Sequence, residues 1–143
     1  MHVATLLAGK GSQVVTVPRS ASVAEALGTL ARHHIGALVV SDDGRRIAGI
    51  ISERDIVRAL DAAGPMILDQ RVATLMSIHP ETCQPSDVLE DIMGRMTELR
   101  VRHLPVVVDG EVAGIVSIGD VVKARIDELE ANHRSLVDYI TAR

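Results

Sequence analysis

The sequence feature that most constrains the fold of this chain is a twelve-residue segment that occurs twice. Residues 48–59 read Ala-Gly-Ile-Ile-Ser-Glu-Arg-Asp-Ile-Val-Arg-Ala, and residues 113–124 read Ala-Gly-Ile-Val-Ser-Ile-Gly-Asp-Val-Val-Lys-Ala, with seven of twelve positions identical at an offset of 65. Such a period indicates two copies of one supersecondary unit, neither of which buries its apolar face alone. The identical positions include one polar pair in each copy, Ser52 with Asp55 and Ser117 with Asp120.

The first copy has the pattern strand, helix, strand, strand, helix. Ser22 and Glu25 have the spacing of a capping box in front of a helical apolar pattern. An Asp-Asp-Gly turn separates two apolar runs, and Gly-Pro follows the last helix. These patterns predict strands at residues 14–17, 37–40 and 47–51, and helices at residues 23–34 and 52–62.

The second copy follows the same order. Asp87 and Glu90 predict another capped helix, and Asp109-Gly110 predicts a tight hairpin turn. We therefore predict a mixed α/β (α+β) fold of two β-α-β-β-α repeats with an amphipathic connector and a long C-terminal helix. The predicted strands are 81–83, 104–108 and 112–116, and the predicted units are 5–62 (first repeat), 63–78 (connector), 79–125 (second repeat) and 126–143 (C-terminal helix).

Composition excludes several functions. The chain has 143 residues, 47% of them apolar, but one Tyr and no Phe or Trp, so any ligand base must be held between aliphatic side chains. The same lack of aromatic stacking platforms, together with a net charge of −4, argues against nucleic-acid binding. Six histidines without zinc-ligand spacing and a single cysteine predict no metal site.

Cys83 rules out an intramolecular disulfide. It lies in a predicted strand, so we interpret it as a small apolar residue rather than a redox group. The apolar run at residues 3–8 is too short for a signal peptide, and no stretch is long enough to span a bilayer. We therefore expect a cytoplasmic protein without membrane contact.

Each Ser-x-x-Asp pair has two interpretations. Ser at the N-cap and Asp at the third helical position form an acidic capping box, which alone explains both pairs. Each pair also follows an apolar strand, at a helix N-terminus that favours anions, where an Asp can accept the hydroxyls of a ribose. Arg54 and Arg58 follow the first pair, whereas their counterparts are Gly119 and Lys123, so the first site is the more cationic.

These residues make the chain resemble a tandem pair of CBS domains, also called a Bateman module. The resemblance covers residues 5–124 and rests on two motifs in register, at 49–55 and 114–120, with supporting matches at 35–40 and 101–106. It implies a stand-alone, bacterial-type regulatory module with pseudo-twofold symmetry. It also implies adenosine-containing ligands, namely AMP, ADP, ATP, S-adenosylmethionine or NAD(H), and no required cofactor.

The resemblance also implies two clefts, each shared between the repeats. One would combine Ser117 and Asp120 with the loop and strand of the first repeat. The other would combine Ser52, Arg54 and Asp55 with the second repeat. The remaining implied contacts are Thr16, Ile35, Gly36 and Ala37 for the first cleft, and Thr82, Val101, Arg102 and His103 for the second.

No catalytic group is predicted. The chain has no Walker-type phosphate loop and no Gly-x-Ser-x-Gly elbow, and each Asp is explained by capping or ribose binding. We expect an adenine-nucleotide sensor that is not an enzyme. The alternatives are a ligand-free scaffold with vestigial sites and, less favoured, a nucleotide hydrolase.

The tail predicts a contact surface. Apolar residues and one histidine recur at spacings of 4, 3, 4, 3 and 4, which is a heptad seam. The helix would either lie on its own domain or pair with a partner helix, and we expect a homodimer, with an unidentified regulated protein as a further possible partner. The seam residues are Val122, Ile126, Leu129, His133, Leu136 and Ile140.

Overall fold

The computed structural model describes residues 1–142 and contains the repeated order that the sequence predicts. The predicted mixed α/β fold and long terminal helix are confirmed, and Arg143 of the predicted helix lies outside the described residues. The elements are α1 (Val3–Lys10), β1 (Thr16–Val17), α2 (Val23–His33), β2 (Ala37–Val40), β3 (Gly49–Ser52), α3 (Glu53–Ala63), a 3-10 helix (Pro65–Asp69), α4 (Val72–Leu75), α5 (Leu89–Leu99), β4 (His103–Val108), β5 (Glu111–Ser117) and α6 (Ile118–Thr141).

The strands form two small sheets. In the first, β1 pairs parallel with β2, and β2 pairs antiparallel with β3, with Ala37 opposite Ser52. In the second, β4 and β5 form an antiparallel hairpin. The strand predicted at residues 81–83 is reduced to a parallel bridge between Cys83 and Val106. The turn at Asp109 and Gly110 has φ angles of 53° and 79°, as a two-residue hairpin turn requires.

Helix caps follow the sequence prediction except at α5. The Ser22–Glu25 capping box is present at α2. Asp87 does not cap α5, which begins after Val88 without a side-chain cap. Instead, Asp87 Oδ2 accepts a hydrogen bond from the Gln84 amide at 2.8 Å. The prediction was wrong because the carboxylate closes the preceding turn, a competing use of the same side chain.

The two halves exchange their leading segments. Helix α1 packs into the core of the second half, where the Val3 amide donates to the Asp87 carbonyl at 2.9 Å. Residues between the halves pack into the core of the first, where the Val72 amide donates to the Ala21 carbonyl at 2.8 Å. Each aliphatic core therefore includes side chains from a segment that lies outside its own repeat in the sequence. The buried residues involved are Val3, Leu6 and Leu7 in one core, and Ile67 and Val72 in the other.

Cys83 is buried in the second core, in agreement with its interpretation as a small apolar residue. Burial raises the pKa of its thiol to about 11. Because the thiolate is the reactive form, the thiol stays unreactive at neutral pH.

Helix α6 is continuous over 24 residues, from its Ser117 cap to Thr141, a length of about 36 Å. Arg125 ties its first part to α5 through an ion pair with Glu90 at 3.0 Å. From residue 130 to residue 142 every residue is exposed, and the seam residues outside that part are exposed as well. The first turns of α6 therefore lie on their own domain, with Val121 buried, whereas the part from residue 130 onward is exposed to solvent.

The glycines that open the two repeated motifs give a stability prediction. A Cβ on Gly49 would lie 2.6 Å from the Ser77 carbonyl oxygen, which is backbone, whereas a Cβ on Gly114 would meet the flexible Leu7 side chain at 2.9 Å. We expect Gly49→Ala to lower the free energy of unfolding by about 1–3 kcal/mol. Gly114→Ala, at the equivalent position, is the matched control with a smaller loss. Urea unfolding of both variants measures this, and equal losses would contradict it.

Candidate functional site

Each Ser–Asp pair lies where the last strand of a hairpin enters a helix. At α3, the Asp55 amide donates to Ser52 Oγ at 3.2 Å, and the Ser52 amide donates to Asp55 Oδ2 at 2.8 Å. At α6, the Asp120 amide donates to Ser117 Oγ at 3.1 Å, and the Ser117 amide donates to Asp120 Oδ2 at 2.9 Å. The capping interpretation of both pairs is confirmed.

Capping uses only one oxygen of each carboxylate. The hydrogen bonds to Asp55 and Asp120 from the described residues all end on Oδ2, including one from Ser52 Oγ at 2.9 Å. Both side chains are only partly buried. Each Oδ1 is thus left to accept a hydrogen bond from a ligand. The two interpretations of the Ser-x-x-Asp pairs are therefore compatible, because the cap and a ribose need different oxygens.

A cleft of about 390 Å³ opens beside Asp55, between the two halves. This volume lies within the range of small-molecule sites. Residues of β2, β3 and α3 form one wall, and the loop from α5 to β4 forms the other. The lining residues are Gly36, Ala37, Ile50, Ser52, Glu53, Arg54, Asp55, Arg58, Ser77, Leu99, Arg100, Val101, Arg102 and His103.

The structure brings together most of the residues that the sequence grouped at this cleft. All six of those from the two motifs and the loop are among its lining residues: Ser52, Arg54, Asp55, Val101, Arg102 and His103. Thr82 is not among them. Its carbonyl accepts a hydrogen bond from Arg95 Nη2 at 2.7 Å, and Ser77 lines the cleft instead.

The residues grouped with Asp120 are distributed differently. Gly36 and Ala37 line the cleft at Asp55, because β2 pairs with β3 directly beside Ser52. Ile35 lines an adjoining cavity of about 370 Å³ under the end of α2. Thr16 lies in β1, opposite Val39. Their assignment to an Asp120 cleft stays a prediction.

His103 lies at the junction of the two halves. A Cβ on Gly36 would come within 3.1 Å of His103 Cε1 and 3.4 Å of Glu53 Oε1, so glycine lets the imidazole approach the backbone. Burial lowers the pKa of His103, although the nearby Glu53 and Asp120 carboxylates oppose that shift. The imidazole is therefore neutral at pH 7, with one nitrogen able to donate and the other able to accept a hydrogen bond.

Arginines give the cleft at Asp55 its positive charge. The sequence predicted Arg54, Arg58 and Arg102, and the structure adds Arg100, which ends α5 with φ of 56°. Arg100 was not predicted from the sequence, because its place in the lining depends on where α5 ends and not on a sequence motif. Glu53 and Asp55 are the acids in the same lining, so arginines outnumber acids there.

Asp120 is paired with a cation that the sequence did not indicate. Lys10 Nζ at the end of α1 lies 2.5 Å from Asp120 Oδ2 and donates to the Ile115 carbonyl at 2.9 Å. Burial alone would raise the pKa of Asp120, but the hydrogen bonds from Lys10 and Ser117 outweigh it, so this pKa lies below its usual range. The sequence predicted Lys123 as the nearest cation from the equivalent position, which overlooked α1.

A signal for this packing was present in the sequence. Val-Ala-Thr-Leu occurs at residues 3–6 and again at 72–75. Because the second copy packs on the first half, its twin could have been predicted to pack on the second half. Among residues 1–142, no group of three or more His, Cys, Asp or Glu is placed to hold a metal, and no helix is long and apolar enough to cross a membrane.

The fold and the site together define a pair of repeats that share a ligand-sized cleft. The sequence profile of the CBS domain family matches residues 11–62 and 72–127. The chain belongs to the CBS domain family and carries that domain twice.

Known relatives agree with this assignment. A CBS-domain containing protein of Agrobacterium tumefaciens is 47% identical, and its crystal structure matches with a TM-score of 0.84 over 87% of this chain and 99% of that chain. A CBS domain protein of Pyrobaculum aerophilum, solved in complex with AMP, is 28% identical with a TM-score of 0.73, over 84% of this chain and 89% of that chain. A mitochondrial CBS domain-containing protein of Arabidopsis thaliana is 36% identical over 123 residues, and the match spans 83% of this chain but 60% of that relative.

Proposed function

We propose that this protein is a regulatory module that binds an adenosine-containing ligand and has no catalytic activity of its own. The observation that carries the proposal is the cleft of about 390 Å³ lined by Asp55, a residue whose Oδ1 has no partner among the described residues. The AMP complex of the Pyrobaculum aerophilum relative supports this class of ligand.

The cleft offers a contact for each part of such a ligand. Asp55 Oδ1 accepts hydroxyl hydrogens from the ribose. Ile50, Leu99 and Val101 supply aliphatic surface for the base, which a chain without Phe or Trp needs. Phosphates are bound by the four arginines of the lining, two on α3 and two on the wall that faces it, and charge-assisted hydrogen bonds of this kind are stronger than neutral ones.

Titration calorimetry with adenosine, AMP, ATP, S-adenosylmethionine and NAD(H) tests the proposal. Binding of at least one of these ligands, without turnover of ATP, supports a sensor. A folded protein that binds none of them favours the scaffold alternative, and steady release of ADP or AMP from ATP favours the hydrolase. Mass spectrometry of the purified protein identifies any ligand that is retained.

The arginines lead to a prediction about phosphate number. In an Asp120→Ala background we expect the remaining cleft to bind ATP more tightly than AMP. That preference should shrink as salt rises, because ions screen charge contacts. In an Asp55→Ala background the preference should be weaker, since four arginines belong to the cleft that is lost. Calorimetry in both backgrounds at two salt concentrations measures this, and an equal preference in both would contradict it.

We also propose that the signal passes through association of chains. The seam on α6 is exposed, with Leu129 at 53% and Ile140 at 64%, which suits a helix that pairs with a second copy. A homodimer is the commonest closed assembly of soluble proteins. A separate regulated protein and a cytoplasmic location complete the proposal.

A further inference from the structure

Lys10 replaces a backbone contact of the other half. In the first half, the Ile50 carbonyl accepts a hydrogen bond from the Ser77 amide at 2.9 Å. The equivalent carbonyl of Ile115 accepts one from Lys10 Nζ at 2.9 Å. The hydrogen bond to this carbonyl therefore comes from a flexible side chain in the second half and from a backbone amide in the first half. The same ammonium also reaches the Asp120 carboxylate.

This contact can open without unfolding. The side chains of Lys10 and Asp120 are 33% and 26% exposed. On either side of the lysine, a Cβ on Gly9 or Gly11 would meet nothing within 4 Å, so the space beside Lys10 is open. Helix α1 is held separately by its buried residues Val3, Leu6 and Leu7. Rotation of the lysine side chain is therefore enough to release Asp120.

The two carboxylates therefore differ in whether a cation already pairs with them. Asp120 is ion-paired to Lys10, whereas Asp55 makes no ion pair with any described residue. A hydroxyl gains more from an unpaired carboxylate than from one whose charge a cation already neutralises.

We infer that Lys10 competes with the ribose of a ligand for the charge of the Asp120 carboxylate, so that the predicted cleft at Asp120 binds a nucleoside more weakly and the cleft at Asp55 fills first. The inference rests on the proposed function, since it assumes that both clefts accept adenosine. It assigns Lys10 as the residue that makes two similar sites unequal in affinity. The relevant ligand chemistry is the ribose, and the neutral nucleoside adenosine isolates it from phosphate effects.

Calorimetry with adenosine in an Asp55→Ala background tests this. At low salt, adding Lys10→Met should tighten adenosine binding by about threefold to fivefold, the effect of losing a partly exposed ion pair. With Lys10 present, adenosine binding should strengthen as salt rises, because salt weakens the competing ion pair. With Lys10→Met, the salt dependence should disappear. A strengthening with salt is opposite in sign to that expected for ATP at the arginine-lined cleft.

Two control variants separate competition from a general charge effect. Lys123→Met removes the same charge from the exposed face of α6 and should leave adenosine affinity unchanged. Lys10→Arg keeps a cation at the position and should retain the salt dependence. Thermal unfolding of each variant records any effect on stability.

The outcomes distinguish this inference from the proposed function. If the wild-type protein binds neither adenosine, AMP nor ATP, the proposed function is wrong and this inference falls with it. In a second outcome the wild-type protein binds, but Lys10→Met leaves the affinity and its salt dependence unchanged or only lowers the unfolding temperature. Lys10 then contributes to the stability of the fold and not to ligand binding. The inference is then overturned while the proposed function stands. Absence of adenosine binding in both Asp55→Ala proteins overturns it in the same way.

Discussion

Asp55→Ala should weaken AMP binding at its cleft by about 1.5–3 kcal/mol, the contribution of hydrogen bonds to a charged group. Asp120→Ala should weaken binding at the other cleft by a smaller amount, because Lys10 already pairs with that carboxylate. The reason is the unpartnered Oδ1 of each carboxylate, which the cap does not use. In calorimetry this corresponds to a dissociation constant raised by roughly tenfold to a hundredfold or more.

Loss of a cap also costs stability, so the experiment needs a control for folding. Glu25→Ala breaks the capping box of α2, which has the same geometry and lies outside the lining of the Asp55 cleft. It removes one of the two hydrogen bonds of that cap and should lower the free energy of unfolding by about 0.5–1.5 kcal/mol. AMP binding should stay unchanged. If the Asp55→Ala, Asp120→Ala double variant binds AMP and ATP as the wild type does, the carboxylates are only caps and the site assignment is wrong.

The parts of the fold that local chemistry controls were predictable from the sequence. Apolar runs bounded by turn residues located β2 to β5, and the spacing of Ser22, Ser52 and Ser117 from their acidic partners located three helix starts. At Asp87 the same rule failed, since a nearby backbone amide competes for the carboxylate. A capping pattern states which bonds are possible, but not which of two local partners receives them.

The missed features of the site all depend on tertiary packing. Lys10 reaches Asp120 across 110 residues of sequence because α1 packs on the opposite half. Ser77 enters the Asp55 cleft through its pairing with Ile50, and Arg100 through the end of α5. None of these positions belongs to the repeated motif. The repeat therefore predicted the two capped helix starts and the arginines beside Asp55, but not the residues that other elements bring to them.

A chain that ends at Arg125 should lose most of its tendency to dimerise. The truncation keeps the Arg125–Glu90 ion pair, which anchors the first turns of α6, and removes the exposed seam beyond it. Each large aliphatic side chain that a partner buries contributes about 1.5–3 kcal/mol. Loss of the seam should therefore raise the dimer dissociation constant by at least about a hundredfold. Sedimentation over a range of concentrations measures it for both chains.

Single substitutions test whether the seam side chains hold the dimer or whether only the length of the helix matters. Leu136→Glu places a charge in the seam and should disrupt the dimer, whereas the adjacent Ser135→Glu lies outside the seam and should not. If the truncated and full chains dimerise with equal affinity, the contact lies on the repeats themselves, and α6 is free to bind a different partner.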